Sequence, residues 1–212
     1  KPAGVKEQFD EDKHPRDDDG KFTSKGGEGE KGGEKGVKEH PQIRTDAFKN
    51  WFGDWEKNPK NASKIIEPSG KPKMVFHGTP SDFDEFSKDN ARTADAKHGF
   101  FFTSDAGEAD EYSWGKGEHT GKIKPVFLNM RNPLVVDASH LKNYESKFNL
   151  SSIEKASDGD HDGVIFKNYP GIKNRSDYYF VFDPNQIKSA IGNKGTFNPD
   201  SNKIHESGES CG

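Results

Sequence analysis

The sequence predicts an α+β domain with mainly antiparallel sheets. Short apolar segments recur along the middle of the chain, separated by Gly, Pro and polar residues as is typical of strands. Few segments have the spacing of amphipathic helices. The 16 Phe against two Met indicate a core built from aromatic side chains. Many short strands around few helices favour this class, and the sequence has neither an internal repeat nor a heptad run.

Six segments predict strands because they are short, rich in aromatic and β-branched residues, and bounded by turn residues. They lie at 74–76, 99–103, 123–129, 134–136, 163–166 and 178–182. A turn at 69–72 leads into the first of them.

Two helices are predicted between and before these strands. Thr45 or Asp46 can cap the first helix, and Gly53 should end it. Its apolar side chains recur at i, i+3, i+4 and i+7: Phe48, Trp51, Phe52 and Trp55. The dipeptide at 104–105 should cap a second helix that runs to about Tyr112.

Composition divides the chain into three parts. Residues 1–41 are rich in Gly and in both signs of charge, which predicts a disordered linker. Residues 42–198 carry the strand and helix patterns and should form the domain, and residues 199–212 should be a flexible tail. The chain begins without Met, so we interpret it as part of a longer protein. With one Cys, at 211, no disulfide can form within the chain.

Charge, hydropathy and residue spacing argue against several function classes. The net charge of −4 gives no reason to expect sequence-independent DNA binding. No apolar run approaches the ~18 residues of a spanning helix, and the start is not a signal peptide, so we expect a soluble chain without a membrane partner. The histidines are scattered without metal-ligand spacing, and we predict no metal site. The acidic run 158–163 matches half of a calcium loop, but the strand that follows favours a polar turn.

Three motifs could carry chemistry, although each is weak alone. His77 follows a strand, where it could bond a ribose hydroxyl, and Gly78 would let a ligand approach the backbone. Phe101 alternates with Phe100 and Phe102 and could present its ring to a flat heterocycle. The alternative interpretations are a half-buried histidine that ends a strand for His77 and core packing for the Phe residues. The third motif is the aromatic strand 178–182.

In this order, the motifs resemble the ADP-ribosyltransferase superfamily, in the branch of the diphtheria toxin and poly(ADP-ribose) polymerase folds, whose signature is His, Tyr and Glu on three strands. The closer resemblance is to the ADP-ribosyltransferase domains of phage polyvalent and head-morphogenesis proteins. It rests on 48–55, 75–79, 99–103, 181–190 and 192–197. The resemblance implies a split sandwich of two small, mainly antiparallel sheets with a few flanking helices.

The resemblance also implies an NAD site. His77 should bond the nicotinamide-side ribose and the Gly78 backbone should hold the carboxamide. Phe101 stands where the family has Tyr, and its ring should stack on nicotinamide. The expected cofactor-binding set is His77, Gly78, Thr79, Arg92, Phe101 and Thr103. The loop 89–98 could cover the dinucleotide, with Arg92 and Lys97 reaching the pyrophosphate.

The catalytic carboxylate is not where the family places it. Tyr178 aligns with the expected Glu, whose charge would stabilise an oxocarbenium-like transition state. We therefore name His77, Asp177 and Tyr178 as catalytic candidates. Asp177 needs a bulge to reach the same face as Tyr178. Alternatives are Glu118 or Glu154 from loops, the more distant Gln186, or no carboxylate at all.

The implied activity is mono-ADP-ribosyl transfer from NAD, as co-substrate, to an unknown macromolecular target, either protein or nucleic acid. The resemblance suggests a monomeric, phage-borne effector or toxin, located in the phage particle or in the bacterial cytoplasm after delivery. The alternative is a catalytically weak NAD-binding or virion-structural module of the same fold. An RNA 2'-phosphotransferase is less favoured because the sequence shows no cluster of basic residues for a phosphate.

Overall fold

The computed structural model describes residues 40–91, 93–113, 121–193 and 195–205. The strands are β1 (Val75–Thr79), β2 (Phe100–Thr103), β3 (Lys122–Leu128), β4 (Leu134–Asp137), β5 (Gly163–Pro170), β6 (Arg175–Val181) and β7 (Ile187–Ser189). The helices are α1 (Asp46–Phe52), α2 (Ala106–Glu111) and α3 (Ser146–Asp158). Short 3-10 helices lie at Pro41–Arg44, Pro59–Asn61, Lys88–Asn90, Asp95–His98 and Pro184–Gln186. The predicted α+β class is confirmed.

The seven strands form one sheet in the order β4-β5-β6-β2-β1-β3-β7. All neighbours are antiparallel except β4 and β5. The two halves of the sheet meet at β1 and β2, which share a single register pair, Phe76 with Thr103. The expected two separate sheets are therefore one sheet in the structure, joined at its centre by this narrow pairing.

Helix α1 forms as the sequence predicts. The Thr45 hydroxyl accepts from the Phe48 N–H at 3.2 Å, and Gly53 ends the helix with a φ of 99°. Three aromatic side chains of α1 are fully buried with Phe127 and Phe197: Phe48, Trp51 and Phe52. Trp55 lies beyond the end of the helix, where its indole N–H donates to the Ile43 carbonyl. The aromatic stripe thus anchors the N-terminal segment to β3.

Helix α3 is not predicted by the sequence pattern, although it is the longest helix of the described residues. Its buried positions are Asn149, Ser152, Ile153 and Ala156, which have helical spacing but are half polar. Asn149 is buried because its amide donates to the buried carboxylate of Asp95 at 3.0 Å. A search for apolar periodicity cannot detect such a stripe. Among the helices of the described ranges, none is long and apolar enough to cross a membrane.

The two faces of the central strands are covered differently. On the front face, Phe102 and Tyr179 belong to a core cluster with Val75 and Phe86. On the back face, Tyr178 and Phe180 pack beneath α3, with Phe101 against them. Because side chains alternate along a strand, Phe101 and Phe102 point to opposite faces. This alternation decides which candidate residues share a surface.

Residues 199–205 are not a flexible tail, contrary to the sequence-based expectation. Ile204 is fully buried in the front cluster, and its N–H donates to the Asp84 carbonyl. The buried ammonium of Lys188 on β7 donates to the carbonyls of Ser201 and Lys203 at 2.7 and 3.0 Å. The polar composition of this segment did not predict its packing. One apolar side chain and hydrogen bonds to its backbone hold the segment in place. Residues 206–212 lie outside the described ranges.

Candidate functional site at the gap between β1 and β2

The site is built around the gap where β1 and β2 separate. His77 follows the single Phe76–Thr103 pair, and its Nδ1 lies 2.8 Å from the Phe101 carbonyl oxygen of β2. A carbonyl only accepts, so Nδ1 carries the proton and donates. In the neutral ring, Nε2 then keeps a lone pair and can accept a hydrogen bond.

The environment keeps His77 neutral. Its ring lies 4.9 Å from the Phe86 ring and 5.5 Å from the Phe102 ring, measured between centroids. Burial lowers the pKa of His77 from 6.5 to about 4, and the positive charge of Lys124 adds to the effect, whereas the Phe101 hydrogen bond opposes it. At neutral pH the side chain is therefore an uncharged imidazole with one donor and one acceptor.

A charged pair holds the loop that covers His77. Lys124 lies opposite His77 on β3, and its Nζ donates to Asp82 Oδ1 at 3.0 Å and to the Phe83 carbonyl at 2.8 Å. Hydrogen bonds from Lys122 and Lys124 lower the pKa of Asp82 to about 2. This ties the segment carrying Phe83 and Phe86 to β3, so the aromatic cover over His77 is fixed by the sheet.

Gly78 is required by helix packing. A Cβ at Gly78 would lie 1.7 Å from the Ala109 carbonyl oxygen of α2 and 3.1 Å from the Ser113 nitrogen. Only a glycine lets α2 pack this closely on β1. From the sequence, Gly78 was expected to let a ligand approach, whereas the structure gives this packing as the reason for the glycine. The contact places the end of α2, and with it Tyr112, beside the His77–Gly78 segment.

On the back face, α2 and β6 share a polar cluster. The Tyr178 hydroxyl donates to Glu108 Oε1 at 2.7 Å, and the Tyr112 hydroxyl lies 3.4 Å from that of Tyr178. Glu108 is 1% exposed and Tyr178 is 6% exposed, whereas Tyr112 is 41% exposed. Burial, followed by the hydroxyl of Tyr112, raises the pKa of Tyr178, so its hydroxyl keeps its proton. A carboxylate thus lies beside the strand position where the family has Glu.

Glu108 is a site residue that was not predicted from the sequence. Its spacing from Asp105 is that of a capping box, in which Glu108 would bond the Asp105 N–H. In the structure the Asp105 N–H donates to Thr103 Oγ1 instead, and the Glu108 carboxylate accepts from the N–H groups of Ile172 and Lys173 in the turn before β6. The local pattern gave no signal of this long-range contact.

Asp177 lies on the front face, away from Tyr178. Its carboxylate accepts from Lys167 Nζ at 2.6 Å and from the Asn168 N–H at 3.2 Å. It lines a cavity of about 310 Å³ together with Tyr179 and Ile165. The register shift in β5 beside Asn168 does not turn Asp177 to the back face. The Asp177 carboxylate is therefore paired with Lys167, and it lies on the opposite face of the sheet from the Tyr178 side chain.

The other carboxylate and amide candidates lie elsewhere. Glu154 is an exposed residue of α3, not of a loop, and lines a groove of about 590 Å³ with Lys97 and Phe182. Gln186 forms a capping box with Asp183 and also donates to the carbonyls of Asn129 and Asp162. The Gln186 amide is thus already hydrogen-bonded to the backbone at the turn after β6. Glu118 and Arg92 lie outside the described residues.

The remaining cofactor candidates are held mainly by protein contacts. Thr79 is buried, and its hydroxyl bonds the backbone of Ser81. Thr103 is buried, with its hydroxyl 2.9 Å from that of Ser176. The Phe101 ring is partly buried, 4.8 Å from the Phe180 ring. In the ranges that the structure covers, no group of three His, Cys, Asp or Glu could hold a metal ion.

Strand β1 with its His-Gly-Thr sequence and the aromatic strands β2 and β6 beside it carry the three motifs that resemble the ADP-ribosyltransferase class. A family model described as ADP-ribosyltransferase in polyvalent proteins matches residues 67–197, more than half of the chain, and the chain belongs to this family. The match confirms the resemblance found in the sequence. Helix α1 precedes the matched residues. Comparisons with curated proteins and with solved structures give no match.

Proposed function

We propose that this chain is an NAD-dependent mono-ADP-ribosyltransferase that transfers ADP-ribose to a macromolecular target and releases nicotinamide. Family membership supports the reaction class. The observation that carries the proposal within the site is the neutral His77, whose Nδ1 proton is committed to the Phe101 carbonyl. Its Nε2 is left as an acceptor, which suits a ribose hydroxyl.

The surroundings of His77 suit the rest of a nicotinamide riboside. The Gly78 backbone would hold the carboxamide, and the exposed ring of Tyr112 next to it offers a flat surface for the heterocycle, alongside Phe101. Lys97, which lines a groove with Lys88, would face the pyrophosphate. Arg92 stays a proposed partner of the pyrophosphate. Thr79 and Thr103 would form part of the walls of the site.

The test compares nicotinamide release from NAD by the wild type, His77→Ala and the matched control His140→Ala, which changes an exposed histidine. We expect the control to match the wild type and His77→Ala to lose roughly 10²-fold in rate. Melting temperatures show whether each variant is folded. If wild type and His77→Ala release nicotinamide equally at high enzyme concentration, the chain is not this enzyme.

The alternative function is an NAD-binding or virion-structural module with little activity. Two observations favour it: Tyr178 in place of Glu, and Phe101 in place of Tyr. Calorimetric binding of NAD without nicotinamide release would support this alternative. Loss of binding in His77→Ala would still assign the ligand to the same gap.

The target and setting are part of the proposal. The family name points to polyvalent proteins, which suggests a phage-borne effector or toxin carried in the particle and acting in the bacterial cytoplasm. Incubating the chain and labelled NAD with bacterial extract should label one macromolecule, and mass spectrometry should identify the modified group. Digestion with protease or with nuclease before analysis separates a protein target from a nucleic-acid target.

A further inference from the structure

The back face of the sheet carries a negative charge that the sequence pattern does not show. The family position for a catalytic Glu on β6 holds Tyr178, yet the Tyr178 hydroxyl donates to the carboxylate of Glu108 at 2.7 Å. Glu108 comes from α2, the helix that packs on Gly78. A carboxylate therefore reaches the strand position of the family's Glu from a different element.

We propose that Glu108 is a positioning residue that supplies the missing negative charge through Tyr178, so that the Tyr178 oxygen, and not a carboxylate, contacts the ribose of NAD. The inference rests on the proposed function. Glu108 cannot take the contact itself, since it is 1% exposed and already accepts from two backbone N–H groups and from Tyr178.

The hydrogen-bond directions fix what Tyr178 can do. An ionised Glu108 only accepts, so the Tyr178 proton points to it and the phenolic oxygen keeps its lone pairs. Donation to a charged acceptor makes this oxygen more electron-rich. Tyr112, at 3.4 Å, can donate to it, and a ribose hydroxyl can take the same place. Tyr178 is thereby limited to accepting from the substrate.

This arrangement assists bond cleavage without adding a reactant. The bond between the ribose anomeric carbon and the nicotinamide nitrogen breaks with its electron pair going to nitrogen, so nicotinamide leaves neutral and the ribosyl carbon becomes cationic. A nucleophile of the target donates an electron pair to that carbon and releases its proton to water. Negative potential from Glu108, relayed through Tyr178, stabilises the cationic stage more than the ground state.

Two variants and one matched control test the role. Glu108→Gln removes the charge at nearly constant shape, and Tyr178→Phe removes only the hydroxyl while leaving the backbone contacts of Glu108 intact. Glu111→Gln is the control because Glu111 lies on the same helix and pairs with Lys173 of the same turn at 2.5 Å, on the outside of the cluster. It removes an equal charge from the same helix and a contact with the same turn.

We expect Glu108→Gln and Tyr178→Phe each to lower kcat for nicotinamide release roughly 10²-fold with little change in KM. The double variant should fall no further than either single variant, since the two groups act as one unit. Glu111→Gln should keep the wild-type kcat. Melting temperatures identify losses that come from unfolding.

Three results would overturn the inference: an unchanged kcat in folded Glu108→Gln, an unchanged kcat in Tyr178→Phe, or additive losses in the double variant. If Glu108→Gln does not fold, Tyr178→Phe decides alone, because a folded variant with a kcat lowered about 10²-fold supports the role. A wild type that releases no nicotinamide refutes the proposed function as well. Release that His77→Ala abolishes but Glu108→Gln retains refutes this inference only.

Discussion

The partly buried His77 should make the stability of the domain depend on acid pH. Its pKa is 6.5 in an ordinary environment and about 4 in the folded protein, mainly because burial disfavours the charged ring. Between these values the unfolded chain binds a proton that the folded chain does not. The free energy of unfolding therefore has the full His77 contribution above pH 6.5 and loses it as the pH falls toward 4.

The size of the effect follows from the two pKa values. The change in the pKa of His77 from 6.5 to about 4 corresponds to about 3 kcal/mol in the free energy of unfolding, at roughly 1.4 kcal/mol for each pKa unit. At pH 4.5 the folded state has begun to bind the proton, so about 2 to 3 kcal/mol should be lost relative to pH 7.5. This is a large part of the ~5 to 15 kcal/mol that stabilises an ordinary domain.

Urea unfolding at pH 7.5 and 4.5, followed by the fluorescence of the buried Trp51, measures the loss. His77→Gln is the comparison because its amide can still donate to the Phe101 carbonyl but does not titrate. The wild type should lose about 2 to 3 kcal/mol more than this variant between the two pH values. His140→Asn, at an exposed position, should behave like the wild type. Equal losses in wild type and His77→Gln would refute the assignment of a depressed pKa to His77.

Three further changes test the packing that holds the site. Gly78→Ala places a methyl group against the Ala109 carbonyl and should cost about 1 to 3 kcal/mol by thermal unfolding, whereas Gly107→Ala, inside α2 and without a backbone clash, should be neutral or stabilising. Equal melting temperatures for the two would contradict the close contact of α2 with β1. Thr45→Ala removes the cap of α1 and should cost about 1 kcal/mol in urea unfolding, and no loss would argue against the cap. Lys188→Met leaves two carbonyls without their buried donor, so amide exchange at 199–205 should accelerate, and unchanged exchange would show that the lysine does not hold this segment.

The sequence determined the parts of this protein that depend on local pattern. Thr45 and Gly53 bound α1 because capping and helix termination are decided by a few neighbouring residues. The strands around His77 and Phe101 alternate as predicted, and the ordered motifs predicted the family that the match over residues 67–197 shows. The same alternation correctly separates Asp177 from Tyr178, since adjacent residues of a strand point to opposite faces.

Only the tertiary structure decided which residues, distant in sequence, contact each other across the sheet. Helix α3 was missed because its buried stripe includes Asn149 and Ser152, whose partners are distant in sequence. Ile204 is buried although its neighbours are polar, because Lys188 and Asp84 bond the backbone around it. Glu108 reads as a helix-capping residue in sequence, yet it joins Tyr178, 70 residues away, because α2 packs on Gly78. Folding sets distances between atoms and not between positions along the chain, so a residue of α2 can lie beside one of β6.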